Sequence, residues 1–267
     1  MSAATDVDGL VTAARAHDAR ALGKLISMVE DDDPALPALM SALLGAGVQT
    51  KTYVIGLTGA PGVGKSTTTS ALIALLRERQ QRVGVLAVDP TSPITGGALL
   101  GDRVRMQIHA TDADVFIRSM ASRGQLGGIA AATPRAVRVL EATGFDVVLV
   151  ETVGVGQAEV DIAATADTTV VLLAPGMGDG IQTAKAGLLE VADILVVNKC
   201  DRDGADDAVR ELRMMIATTP ARDPNSWRPI VVRATATAPG GIDELVEAID
   251  KHRSWLESSG AEAGGKR

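Results

Sequence analysis

Apolar residues in the first 50 positions recur at helical intervals. Leu10, Val11, Ala14, Leu22, Leu25, Ile26 and Val29 form one stripe with Arg and Asp between them, the pattern of amphipathic helix packed on a larger body. Asp31-Asp32-Asp33-Pro34 interrupts it. Asp33 is placed to cap a following helix with Pro34 at its first position. The spacing therefore predicts a helical hairpin over 1–50, an N-terminal arm whose last residues, 45–50, form a linker. From Thr52 the period changes. Short runs, mostly apolar and rich in β-branched residues, fall at 53–57, 83–88, 115–117, 147–150, 169–173, 194–197 and 230–232. They suit strands buried on both faces. Between them 66–79, 127–142, 182–190, 205–218 and 242–256 read as helices. Strand–helix alternation predicts an α/β fold over 51–257, a three-layer arrangement around a mostly parallel sheet. The Gly-rich stretch 258–267 reads as a disordered tail.

Composition narrows the function. Hydrophobic residues make up 46% of the 267 and charged residues 22%, which excludes a disordered chain. Aromatics are only 2% and the net charge is −7. Few stacking rings and an acidic balance argue against a nucleic-acid partner. One cysteine permits no internal disulfide and no Cys cluster for zinc or iron. The start of the chain carries Asp6 and Asp8 and lacks the basic-then-apolar pattern of a targeting segment. No apolar stretch approaches the ~20 residues a spanning helix needs. The expectation is a cytoplasmic protein with no membrane partner.

Gly59-Ala60-Pro61-Gly62-Val63-Gly64-Lys65-Ser66 matches G-x-x-x-x-G-K-[ST] at every fixed position, between a predicted strand and a predicted helix. Glycines let such a loop turn tightly and aim its N–H groups at an anion. The helix start adds its positive dipole end. Lys65 would neutralise β- and γ-phosphates, which makes it a catalytic candidate, and the Ser66 hydroxyl would hold magnesium. The phosphate-binding set runs on to Thr67. A bare Gly-rich turn with no ligand is the weaker reading, given motif and context together.

A phosphate-loop enzyme also needs a carboxylate on a neighbouring strand end. The second run ends in Asp89 and the fourth in Glu151, both at the sheet edge where open α/β folds place ligands. Asp102 lies in a loop of the same kind. The metal candidates are thus Ser66, Asp89, Asp102 and Glu151. Residues 152–157 after Glu151 are Gly-bearing and could sense a γ-phosphate. Within them Gln157 is the polar candidate for a catalytic role. Further on, the run 194–197 leads into Asn198-Lys199-Cys200-Asp201, the N-K-x-D pattern of GTP-binding proteins. An ionised Asp201 can accept two hydrogen bonds from guanine N1–H and the 2-amino group, which adenine lacks. The Lys199 stem can lie along the base, and Asn198 can tie loops together. Thr235 and Ala236, after the last strand, could cover the base from the other side, although an ordinary loop fits them as well.

Together these residues resemble the SIMIBI class of phosphate-loop GTPases, and within it the MeaB/ArgK branch, the methylmalonyl-CoA mutase-associated GTPases. The resemblance spans roughly residues 8–256 and rests on 57–68, 89–93 with 96–103, 117–128, 150–159 and 178–201. It implies a P-loop GTPase fold with a helical arm, Mg²⁺-dependent conversion of GTP to GDP and phosphate, and a partner. That partner would be an adenosylcobalamin-dependent acyl-CoA mutase, such as methylmalonyl-CoA mutase, which the GTPase gates and protects. On the family pattern Asp89, Asp102 and Glu151 fall on the magnesium-associated acids. Val153, Gly154, Gly156 and Gln157 fall on switch II, Asp179, Gln182 and Lys185 fall on switch III, and Asp102 counts among the switch residues. Family members usually continue for several dozen residues past the point matching Leu256, and that extension contributes to dimerisation, so a homodimer stays open here. No cobalamin motif such as D-x-H-x-x-G is present, which assigns that cofactor to the partner. Three other readings stand beside this one: a nucleotide-gated adaptor with incidental hydrolysis, an ATP-dependent transport kinase of the ArgK label, and a metal-delivery GTPase. The last is disfavoured by a single Cys and three dispersed histidines, His17, His109 and His252.

Overall fold

The computed structural model describes residues 6–45, 52–89, 106–109, 111–121, 132–152, 158–176, 189–220 and 226–259. All seven apolar runs become strands: β1 (Tyr53–Thr58), β2 (Val83–Asp89), β3 (Val115–Ala121), β4 (Val147–Glu151), β5 (Thr168–Leu173), β6 (Ile194–Val197) and β7 (Ile230–Arg233). They form one sheet in the order β3-β2-β4-β1-β5-β6-β7, with every neighbouring pair parallel. The third run is longer than its apolar part predicts. It continues through Arg118 and Ser119 because it pairs with all of β2.

Alternating side chains sort the sheet into two faces. Val54, Leu86, Val88, Val148 and Val150 share a buried cluster with α5 (Thr133–Ala142), α6 (Ala158–Thr165) and the N-terminal helices. Tyr53, Ile55, Leu57, Val83, Val85, Val147 and Leu149 pack on the other face with α4 (Lys65–Glu78) and α8 (Asp243–Ser259). A third cluster joins Val171, Leu173, Leu195 and Val197 to Ala208, Val209 and Leu212 of α7 (Ala205–Thr218). The result is an α/β sandwich of three layers. A parallel sheet covered on both faces explains why its strands read as mostly apolar.

The arm has three helices rather than the expected pair: α1 (Val7–Arg15), α2 (Ala19–Glu30) and α3 (Leu36–Gly45). The first break lies at His17, whose φ is 69°. Asp18 then caps α2 by accepting from the Arg20 and Ala21 amides at 2.8 and 3.1 Å. The apolar positions skip from Ala14 to Leu22, and reading them as one stripe conceals the break. Asp33 accepts from the Ala35 amide at 2.7 Å, but α3 starts at Leu36, so Pro34 precedes the helix instead of opening it. Leu22, Leu25, Ile26 and Val29 enter the same core as Val137, Leu140 and Met120. Polar ties reinforce the seat: Arg15 Nε donates to the Ala142 carbonyl at 2.9 Å, and Arg118 reaches Ser27 Oγ at 2.9 Å and pairs with Glu30.

Two further expectations need correction. The tail does not begin at 258, since Ser258 and Ser259 belong to α8; residues 260–267 lie outside the described residues. Helix α6 was not anticipated, because its eight residues carry little periodicity. The expected linker beyond Gly45, and the parts 127–131 and 182–188 of two expected helices, also lie outside the described residues. Among the described residues no helix is long and apolar enough to cross a membrane.

Candidate nucleotide site

β1 sits between β4 and β5. From β1 the chain moves out to β2 and β3, returns to β4, and then crosses to β5. The direction of strand order reverses beside β1, where open α/β sheets leave a crevice above their carboxyl ends. The loop 59–64 occupies that position. Gly59, Gly62 and Gly64 have φ of 140°, 81° and 100°, values that side-chain-bearing residues rarely adopt. Two of them also face close neighbours. A Cβ on Gly59 would lie 2.3 Å from the Leu172 carbonyl oxygen of β5, and one on Gly64 would lie 2.4 Å from Asn198 Nδ2.

Helix α4 starts at Lys65 with Gly64 at its N-cap, and no side chain caps it. Its first-turn amides therefore point toward the loop, as an anion site requires. Lys65 arches back over the loop, donating from Nζ to the Gly59 and Ala60 carbonyls at 2.7 and 3.3 Å. The ammonium is thus held at the rim of the cradle. Ala60, Pro61 and Val63 complete the loop, with Val63 buried and Pro61 exposed; Thr67 follows on α4, half-buried.

At the next residue of α4, Ser66 Oγ donates to Glu151 Oε1 at 2.7 Å. Glu151 is 2% exposed and Ser66 4%. Thr69, which sequence reading passed over, brings its hydroxyl 2.9 Å from Glu151 Oε2. Thr152 fixes the end of β4 from the other side, its amide donating to the Leu57 carbonyl at 3.1 Å and its hydroxyl to Thr58 Oγ1 at 3.0 Å. A buried carboxylate and a hydroxyl beside a phosphate loop are hard oxygen donors of the kind Mg²⁺ takes, so Ser66 and Glu151 fit that ion. Asp89 ends β2 two residues beyond Ala87, the register partner of Glu151. Its backbone is therefore on the same sheet edge, while its side chain is outside the description.

The N-K-x-D stretch meets the loop from the β6 side. Asn198 is 2% exposed; its Nδ2 donates to the Val63 carbonyl at 2.8 Å and its Oδ1 accepts from the Ala236 amide at 3.2 Å. Lys199 has φ 61° and donates from Nζ to the Gly62 carbonyl at 2.6 Å, so its stem bridges two loops. The Cys200 amide donates to the Ala234 carbonyl at 3.0 Å. The Thr235 amide closes the post-β7 loop on the Gly241 carbonyl at 2.7 Å. Asp201 stands exposed after this clamp, where a base could reach it. The Cys200 thiol donates to the Val197 carbonyl at 3.0 Å and packs against the third cluster, as a small filler would.

The structure thus brings together Gly59 to Thr67, Glu151, Asn198, Lys199, Asp201, Thr235 and Ala236 along one sheet edge. Asp102, Val153, Gly154, Gly156, Gln157, Asp179, Gln182 and Lys185 lie outside the described residues. Thr69 and the Leu172 carbonyl are the additions. A third Thr after G-K-S was a visible signal for Thr69, whereas nothing local marks Leu172.

Comparison with known proteins gives a concordant picture. A family model described as methylmalonyl Co-A mutase-associated GTPase MeaB matches residues 22–267. A Pyrococcus abyssi protein named as a GTPase is 50% identical over 255 residues, covering 95% of this chain and 78% of that one. GTPase ArgK of Escherichia coli is 40% identical over 243 residues, covering 90% of this chain and 73% of its own length. Among solved structures, that of a LAO/AO transport system kinase superposes with a TM-score of 0.75 at 28% identity, covering 97% of this chain and 79% of that chain.

Proposed function

Because this chain belongs to the MeaB family and is therefore a GTP-hydrolysing enzyme, we propose that its GTP turnover gates an adenosylcobalamin-dependent acyl-CoA mutase. The family's description couples its members to methylmalonyl-CoA mutase, and that supports the partner class. Cobalamin, on this reading, stays with the mutase. The observation that carries the nucleotide half is the clamp: Asn198 and Lys199 grip the carbonyls of Val63 and Gly62. Base recognition and phosphate recognition are thereby built into one rigid edge.

The chemistry is displacement at the γ-phosphorus. A water oxygen forms the new P–O bond, and the bond to the GDP β-oxygen breaks. The loop amides and Lys65 bind the phosphates and take up the charge that spreads over their oxygens. Ser66, with Glu151 behind it, forms the metal side, and Asp89 is the further candidate on the same edge. Magnesium, if held there, would supply positive charge that offsets the charge of the phosphate oxygens. Asp201 reads the base through two accepted hydrogen bonds, while Asn198, Thr235 and Ala236 shape the wall behind it. Switch roles for Asp102, Val153, Gly154, Gly156, Gln157, Asp179, Gln182 and Lys185 belong to the same reading, with γ-phosphate contacts holding these stretches until hydrolysis releases them.

Steady-state GTP turnover, measured with and without a purified adenosylcobalamin-dependent acyl-CoA mutase, tests the proposal. Acceleration of hydrolysis by the mutase is the expected result. Tight association with turnover unchanged would make the chain a nucleotide-gated adaptor instead. Neither association nor acceleration would remove the mutase from the account.

A further inference from the structure

We propose that Thr69 is a positioning residue for the metal side of the site, holding the Glu151 carboxylate in the orientation that Ser66 and a divalent cation require. The inference rests on the reading of Ser66 and Glu151 as that metal side.

Glu151 closes β4 and is buried to 2% exposure. The last torsion of a Glu side chain is soft and has no sharp staggered wells. Such a carboxylate keeps one orientation only where its neighbours impose it. Here α4 imposes it at both oxygens: Ser66 Oγ lies 2.7 Å from Oε1, and Thr69 Oγ1 lies 2.9 Å from Oε2. The two hydroxyls are three residues apart, so they project from the same helix face. They hold the carboxylate at two points, one at each oxygen.

The setting of the Thr69 hydroxyl is informative. It also lies 3.0 Å from the Lys65 carbonyl, the i−4 acceptor that a helical Thr ordinarily uses. Its neighbour Thr68, equally buried at 0% exposure, makes that ordinary bond to the Gly64 carbonyl at 3.0 Å. A hydroxyl has one proton. Between a neutral carbonyl and a carboxylate at similar distances, the charged acceptor draws it more strongly. Thr69 therefore directs its proton toward Glu151. Ser66 does the same with its own proton, which turns lone-pair density of its oxygen, rather than a hydrogen, toward a cation. Removing the Thr69 hydroxyl would leave Oε2 against a methyl group and let the carboxylate rotate away from Ser66. The loss falls on the metal side of the site, while the phosphate loop and the guanine clamp keep their own contacts.

Supporting groups behind a metal ligand typically change metal affinity by about 10–100-fold when removed. The test is a titration of fluorescent GDP binding to the full chain against Mg²⁺, with a parallel measurement in EDTA. For wild type, Mg²⁺ strengthens GDP binding at a measurable midpoint. Thr69→Val is expected to move that midpoint up by about tenfold or more, with the EDTA affinity unchanged and a lowered melting temperature from the lost buried hydrogen bond. Thr69→Ser, which restores the hydroxyl, should return the midpoint to near the wild-type value. Thr69→Ala is read beside Thr69→Val in case the valine variant does not fold. An unchanged midpoint in the hydroxyl-deleted variants overturns the inference, as does an equal loss of affinity in EDTA. A wild-type protein that binds GDP with no Mg²⁺ dependence would instead overturn the reading of Ser66 and Glu151 as a metal side, an outcome visible before any variant is made.

Discussion

Gly64 bears two constraints at once. Its φ is 100°, and a Cβ there would press within 2.4 Å of Asn198 Nδ2. The second contact is the more consequential, since Asn198 is the residue that ties the 198–201 stretch to the 59–64 loop through the Val63 carbonyl. A methyl group would have to push that amide aside or bend the start of α4. Gly64→Ala is therefore expected to cost about 1–2 kcal/mol from the strained backbone, seen as a lowered melting temperature, and to weaken GDP binding by about tenfold or more. A variant with wild-type affinity would show that the loop and clamp move independently. At this scale the described part of the candidate site was legible in the sequence where its residues adjoin. Gly59 to Ser66 and Asn198 to Asp201 are contiguous, and local spacing suffices to mark them. Thr69 and the Leu172 carbonyl escaped because their parts depend on what approaches them in space.

Helices and strands show where periodicity succeeds and where it fails. Every strand was visible, because a parallel sheet covered on both sides demands unbroken apolar runs. The break between α1 and α2 was not, since the apolar positions either side of His17 and the Asp18 cap were joined across the gap from Ala14 to Leu22 as one stripe. Helix α6 was missed for the opposite reason, as its short span has too few turns to display a stripe. The arm is nonetheless an integral layer: Leu25 is 0% exposed and shares a core with Val137 and Leu140 of α5. Leu25→Ala should cost about 2–5 kcal/mol and lower a single cooperative transition measured by calorimetry. Separate melting of the arm would contradict that packing.

A second prediction at the same scale concerns pH. Arg77 on α4 pairs with Asp112 at 2.8 Å and Asp114 at 2.9 Å, anchoring the helix to the chain entering β3. The Arg77 hydrogen bond, followed by the Asp114 amide, holds the Asp112 carboxyl below the usual carboxylate range. A depressed folded-state value stabilises the fold above the unfolded pKa of about 4 and is lost as pH falls through the lower folded value. The pair is partly exposed, so screening keeps its contribution to about 0.5 kcal/mol. Asp112→Asn should accordingly be slightly less stable than wild type at neutral pH, and the gap should close in strong acid. A gap that widens on acidification would reverse the sign of the linkage.

Taken whole, the molecule divides its labour between the two ends of one sheet. At the amino ends of the strands, Tyr53, Thr168 and His252 form a buried chain, with 2.7 Å between Thr168 Oγ1 and His252 Nδ1. Trp227 and Trp255 enclose the imidazole, with ring centroids 4.6 and 5.7 Å from it. Burial pushes the Tyr53 phenol well above its ordinary pKa, so this end stays uncharged at the tyrosine and tightly packed. At the carboxyl ends, the end of β4 and the loops after β1, β6 and β7 converge with glycines, a lysine over the cradle and an exposed acid. The most direct measurement is calorimetric titration of the purified chain, in Mg²⁺, with GDP and with ADP. The account predicts saturable heat with GDP and about a hundredfold weaker response to ADP, because adenine lacks both donors from which the Asp201 carboxylate accepts and each hydrogen bond to a charged group contributes about 1.5–3 kcal/mol. Equal binding of the two nucleotides would contradict the assignment of Asp201 and its clamp, and no binding of either by folded protein would contradict the nucleotide site itself.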